Sequence, residues 1–194
     1  TCTAILAPGD DCTYTVTFAP STNSLYTDTL DINYHNGLSI QTTTSTLTGR
    51  GLLPANLTIS EADPYNFGTF ATSDSDRTHT FTVTNTGEVT ATSISESGLA
   101  TAFSFAGGSF PGTGGTCSSS LTAGSSCTLN VSFDTASPAA YSSSITLDYH
   151  NGVTTTSSIR SLIGTILTPA QLTINSGSNV YLGVLPAYPT NPSS

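Results

Sequence analysis

The chain has 194 residues, of which 36% are hydrophobic and 8% charged, and a formal net charge of −9. Its only strong cations are Arg50, Arg77 and Arg160, with no lysine, so no basic stripe exists to neutralise phosphates; nucleic acid and anionic membrane surfaces are excluded as partners. No apolar run approaches the roughly 18 residues of a membrane-spanning helix, and serine plus threonine number 66, so about a third of the side chains carry a hydroxyl.

Taken in order, the elements read as strands. Cys12–Phe18 alternates apolar and polar residues without error, and is followed by Leu30, Ile32 and Tyr34 alternating with polar neighbours. Phe81 and Val83 alternate with threonines; Cys127–Phe133 and then Ile145, Leu147 and Tyr149 repeat the pattern. A period of two with threonine on the outer face predicts strands that bury one side, as in a two-sheet sandwich. Turn signals separate them. Asn36-Gly37 and Asn151-Gly152 are read as two-residue hairpin turns in which both residues take positive φ. Asn85-Thr86-Gly87 closes a strand, and residues 107–115 form a glycine-rich loop.

The chain also repeats itself at an offset of 115 residues, with 22 of 79 aligned pairs identical. Cys2 and Cys12 recur as Cys117 and Cys127, Tyr34-His35-Asn36-Gly37 as Tyr149-His150-Asn151-Gly152, Pro54-Ala55 as Pro169-Ala170, and Gly68 as Gly183. That period is one domain, not a solenoid unit. The expected architecture is all-β: tandem immunoglobulin-like sandwiches of about seven to eight strands each. Residues 54–168 are read as one complete repeat, 1–53 as the C-terminal half of the preceding one, and 169–194 as the first strands of the next. Half a sandwich exposes its core and edges, so the window is expected to be an excerpt from a longer array, against the alternative that neighbouring strands complete its halves.

The cysteines form two C-x9-C pairs, too long for zinc knuckles and lacking further ligands. In a hydroxyl-rich chain they are expected to be disulfides, Cys2–Cys12 and Cys117–Cys127, against the alternative of reduced core cysteines. Closing such a loop is worth about 3 kcal/mol. Oxidised pairs imply an extracellular or cell-surface setting.

Candidate chemistry is sparse. His35 and His150 recur beside turns and are read as turn or surface residues, and His79, without a counterpart, as a solvent-facing strand residue. No G-x-S-x-G or H-E-x-x-H motif occurs, and no catalytic residue or cofactor is expected. Asp74 and Asp76 are weak calcium candidates, with Glu61 or Asp63 as further ligands, against a solvated loop. Asn56 and Asn130 head glycosylation sequons. Without lysine, isopeptide cross-links are impossible, and the threonine-rich edges 41–48 and 154–158 lack the charge that guards edge strands.

Four stretches resemble the Hydin-type, or choice-of-anchor-D, immunoglobulin-like repeats of large bacterial surface proteins. They are Phe67-Gly68-Thr69, the strand and turn from Thr82 to Gly87, the run from Leu6 to Pro20, and Leu47-Thr48-Gly49-Arg50-Gly51. The second copy departs from the pattern at Ala123, where the family has proline, and at Ile166, where it has glycine. The resemblance implies a structural or adhesive extracellular role without catalysis. The expected function is a structural module of a fibre, filament or adhesin, whose partners are neighbouring copies joined end to end or laterally by strand addition. The alternatives are a glycan- or protein-binding module and an accessory domain of a secreted hydrolase.

Overall fold

A computed structural model describes residues 1–72 and 74–171. They hold eleven strands and no helix: β1 (Leu25–His35), β2 (Ile40–Arg50), β3 (Leu57–Ile59), β4 (Tyr65–Ala71), β5 (Arg77–Asn85), β6 (Ala91–Ser97), β7 (Phe103–Phe105), β8 (Ser120–Leu121), β9 (Ser126–Phe133), β10 (Ala139–His150) and β11 (Thr155–Leu167). β1 and β2 form a hairpin of their own. The other nine build an immunoglobulin-like sandwich from a five-stranded sheet, β4-β11-β10-β6-β8, and a four-stranded sheet, β3-β5-β9-β7. The surplus over seven strands lies in short pieces, β8 having two residues and β3 and β7 three each.

The alternation sets the layers. Along β9, Cys127, Leu129, Val131 and Phe133 are buried and the residues between them are half-exposed. Ile145, Leu147 and Tyr149 of β10, and Leu162 and Ile166 of β11, face them from the other sheet, with Phe81 and Val83 of β5 beside β9. On the outer face, hydroxyls and amides pair across strands: Thr78 with Ser132 (3.1 Å), Thr80 with Asn130 (2.6 Å) and Thr84 with Ser126 (2.8 Å). The hydroxyl content is thus the solvent face of a sheet, where cross-strand threonine pairs are favourable.

All pairings are antiparallel except β4 on β11, which is parallel and interrupted by a bulge. The bulge falls at Gly68, whose φ of 108° suits glycine alone. One extra residue there turns both Phe67 and Phe70 onto Phe133, at ring-centroid distances of 5.6 and 6.4 Å.

Two sequence expectations are corrected here. Cys12–Phe18 is not a strand, although its copy Cys127–Phe133 lies in β9. β9 is held between β5 and β7, whereas residues 12–18 have no ladder partner among the described residues; alternation without ladder partners makes no strand. The hairpin turns are shifted by one residue. Asn36 lies opposite Ser39, leaving Gly37-Leu38 as the central pair, and only Gly37 has positive φ (98°).

Candidate functional site

The turn shows what the repeated Tyr-His-Asn-Gly stretch does. The Asn36 N–H donates to the Ser39 carbonyl (3.1 Å), while Asn36 Oδ1 accepts from the N–H groups of Leu38 and Ser39, both at 2.9 Å. The side-chain oxygen thus mimics the carbonyl that opens a backbone turn. His35 Nδ1 accepts from the Gly37 N–H at 3.0 Å. His150, Asn151 and Gly152 reproduce every one of these bonds. The first residue of the motif acts elsewhere: the buried Tyr149 hydroxyl accepts from the Leu57 N–H across the sandwich (3.1 Å). Tyr34, its copy, is exposed.

Cys2–Cys12 and Cys117–Cys127 are both disulfide-bonded. The second is buried and fastens the segment before β8 to β9. Beside it the Thr116 hydroxyl accepts from the Thr128 N–H (3.0 Å).

A junction joins residues 50–55 to the sandwich. Glu88, in the turn after β5, pairs with Arg50, accepts from the Leu53 N–H (3.1 Å) and donates its own N–H to the Leu53 carbonyl (3.0 Å). The Leu53 N–H and the Arg50 guanidinium hold its carboxyl below the usual range. Ala55 N–H donates to the Asn151 carbonyl (2.9 Å), so the repeated hairpin also anchors the linker. A side chain at Gly87 would place Cβ 2.1 Å from the Pro54 carbonyl oxygen; the missing Cβ is what lets the linker cross. Next to it, Asn85 is fully buried and fully used. Its amide donates to the carbonyls of Val89 (2.8 Å) and Leu121 (3.0 Å), and its Oδ1 accepts from the N–H groups of Asn56 (3.2 Å) and Gly87 (3.0 Å). Sequence reasoning saw the Asn-Thr-Gly turn but missed Glu88 and the burial of Asn85. Only their place beside a required glycine hinted at either.

The remaining candidates divide. His79 is not solvent-facing: it continues the inward row of Phe81 and Val83 and stacks on Tyr65 at 4.2 Å. Its Nε2 lies 3.5 Å from a Glu61 oxygen, beyond hydrogen-bond geometry. Burial, and then the Glu61 charge, raise the Tyr65 phenol. Asp74 accepts from the nearby Ala71 N–H (2.9 Å), while Asp76 and Asp63 accept across the fold, from the N–H groups of Thr135 (3.3 Å) and Ser161 (3.0 Å). Among the described residues no three acids, cysteines or histidines gather as a metal site, so Glu61 and Asp63 do not complete a cage with Asp74 and Asp76. Asn130 is tied up in the sheet, its amide on the Thr113 carbonyl and its oxygen on Thr80.

The N-terminal segment carries an open cleft of about 650 Å³ between residues 16–20 and the β1–β2 hairpin. Phe18 and Tyr26 meet edge to face at 5.6 Å on its wall. A Cβ on Gly49 would lie 2.8 Å from the Phe18 ring, as one on Gly164 would lie 2.6 Å from Phe133.

No family model and no curated protein matches the sequence. Among solved structures, the VesB protease of Vibrio cholerae is 17% identical at a TM-score of 0.44, over 58% of this chain and 32% of that one. The secreted serine protease VesC of the same organism is 13% identical at 0.41, over 61% and 24%. PapD-like domain 7 of human CEP192 is 12% identical at 0.38, over 61% and 89%. The chain thus spans a minor part of either protease.

Proposed function

We propose that this chain is a scaffold segment of a tandem extracellular array, a module that spaces or assembles and catalyses nothing. One observation carries the reading. Every recurring feature that the described residues show is structural: the disulfide, the His-Asn-Gly turn and the core glycine under phenylalanine; the Pro-Ala linker, which the turn anchors at Ala55, recurs in the sequence. Among the side chains that do not recur, His79 stacks on Tyr65 and the acids at 63, 74 and 76 accept from backbone N–H groups.

The junction supports the same reading. Residues 50–55 do not hang from the sandwich by a free linker; paired backbone bonds, an ion pair and a glycine crossing hold them. Such a joint favours an extended, semi-rigid rod over beads on a string. Two disulfides fit an oxidising compartment, and the Hydin-like stretches fit a surface protein. Electron microscopy of the native material is the test: extended filaments or stalks are expected. Discrete particles bearing a hydrolytic domain would overturn the reading in favour of an accessory module.

A further inference from the structure

Both copies of the repeated turn surround one peptide nitrogen with the groups that a ring closure needs. In an Asn-Gly pair, a bond from the glycine nitrogen to the asparagine Cγ closes a five-membered ring, so the reacting atoms are already held together by the chain. The Gly152 N–H donates to His150 Nδ1 (3.1 Å) and the Gly37 N–H to His35 Nδ1 (3.0 Å). An imidazole lone pair thus faces the proton that must leave the attacking nitrogen. Asn151 Oδ1 accepts from the N–H groups of Val153 (2.9 Å) and Thr154 (2.8 Å), and Asn36 Oδ1 from those of Leu38 and Ser39 (both 2.9 Å). Two backbone donors at such distances stabilise an oxygen on which negative charge develops. Gly37 and Gly152 have φ of 98° and 96°, and no side chain shields their nitrogens.

The combination is particular to these turns. Asn-Gly occurs nowhere else in the chain. Asn85 Oδ1 also gathers two N–H groups, at 3.2 and 3.0 Å. The nitrogen that follows it belongs to Thr86 and donates to the Asn56 carbonyl (2.8 Å), which is no base, and the site is dry. Asn85 is a built-in control.

We infer that Asn36 and Asn151 are self-modifying sites, each converted by its own turn to aspartate and isoaspartate through a succinimide. At Asn151 the Gly152 nitrogen bonds to Cγ while its proton passes to His150 Nδ1, and Oδ1 takes the negative charge under the N–H groups of Val153 and Thr154. As that charge returns, the bond from Cγ to Nδ2 breaks, and ammonia leaves with the proton that the imidazole gives back. Water then opens the ring. Attack at Cγ restores the ordinary main chain with an aspartate; attack at the main-chain carbonyl carbon routes the chain through Cβ and Cγ as isoaspartate. One water is consumed, one ammonia is released and one negative charge is gained. The reaction occurs once, on the chain itself, and takes no substrate. Isoaspartate at Asn151 also turns the carbonyl that accepts from the Ala55 N–H (2.9 Å) into a free carboxylate beside the chain, which alters the hold on the linker.

Peptide mapping by mass spectrometry, with isoaspartate located by electron-transfer fragmentation, tests this on the full chain kept in warm neutral buffer. Conversion is expected at Asn36 and Asn151 and not at Asn85, and faster in the folded chain than in concentrated urea. His35→Gln leaves an acceptor for the Gly37 N–H but no base. It should slow conversion at Asn36 about 100-fold, while Asn151 in the same molecule keeps its rate. His150→Gln should do the reverse. The unaltered site in each variant reports that the chain is still folded, so a slowed site cannot be put down to lost structure. Conversion that is faster in urea would show that the turn protects its asparagine, and would overturn the inference. So would rates that ignore the histidine, or two asparagines that stay intact.

Discussion

Asn85 shows how much one polar side chain can hold. Four hydrogen bonds converge on a residue with no solvent access, linking the ends of β5 and β8 and the linker at Asn56. Asn85→Ala leaves two carbonyls and two N–H groups without partners in a dry site. The expected cost is about 2–4 kcal/mol, read by chemical denaturation of the full chain. Asn151→Ala should cost less, about 1 kcal/mol, because its turn is exposed and water replaces the lost acceptor. A smaller effect at Asn85 than at Asn151 would reverse this account of the junction. Both residues were visible in the sequence as members of turn motifs. Which one would be buried was not, because burial depends on the linker and β8 crossing at Asn85, and neither adjoins it in sequence.

At the level of elements, the Cys117–Cys127 bridge closes a short loop onto the central strand of the smaller sheet. Replacing both cysteines by serine should lower stability by about 3 kcal/mol, through the wider unfolded ensemble and two hydroxyls in a buried place. A melting temperature shifted by less than a degree would show that the bridge adds nothing. Alternation predicted β5, β9 and β10 correctly because each buries one face against the opposite sheet. The same signal failed for Cys12–Phe18, whose side chains carry the right pattern but whose backbone has no ladder partner among the described residues. A strand belongs to its ladder as much as to its residues. β3, β7 and β8 were too short for any period to show. His79 misled for a related reason: a polar residue on the inward row is tolerated at the mouth of a sandwich, where Tyr65 stacks on it.

For the whole molecule the junction decides shape. Glu88 has a depressed carboxyl pKa, so its contribution is present above the unfolded value of about 4.3 and is lost as pH falls through the lower, folded value. Acid should therefore loosen the joint before the sandwich unfolds, while neutral and alkaline conditions leave it closed. Small-angle scattering between neutral and acid pH is expected to show a broader distribution of maximum dimension at the acid end. Glu88→Gln should show that breadth at neutral pH and little further change on acidification. If both proteins give superposable curves throughout, Glu88 does not hold the joint.

The three arginines lead to a further consequence. Arg50 is engaged by Glu88, Arg77 lies over the Phe70 ring at 4.6 Å, and Arg160 donates to the Ile59 carbonyl at 2.5 Å; all three sit in strands. A protease of trypsin type needs a basic side chain free to enter its pocket and about ten residues of chain that can be drawn out of the fold. No arginine sits in such a stretch while the strands are folded, and the chain lacks lysine altogether. Digestion by trypsin should therefore wait on unfolding and then yield no more than four fragments, cut after Arg50, Arg77 and Arg160, which gel electrophoresis of a timed digest would show.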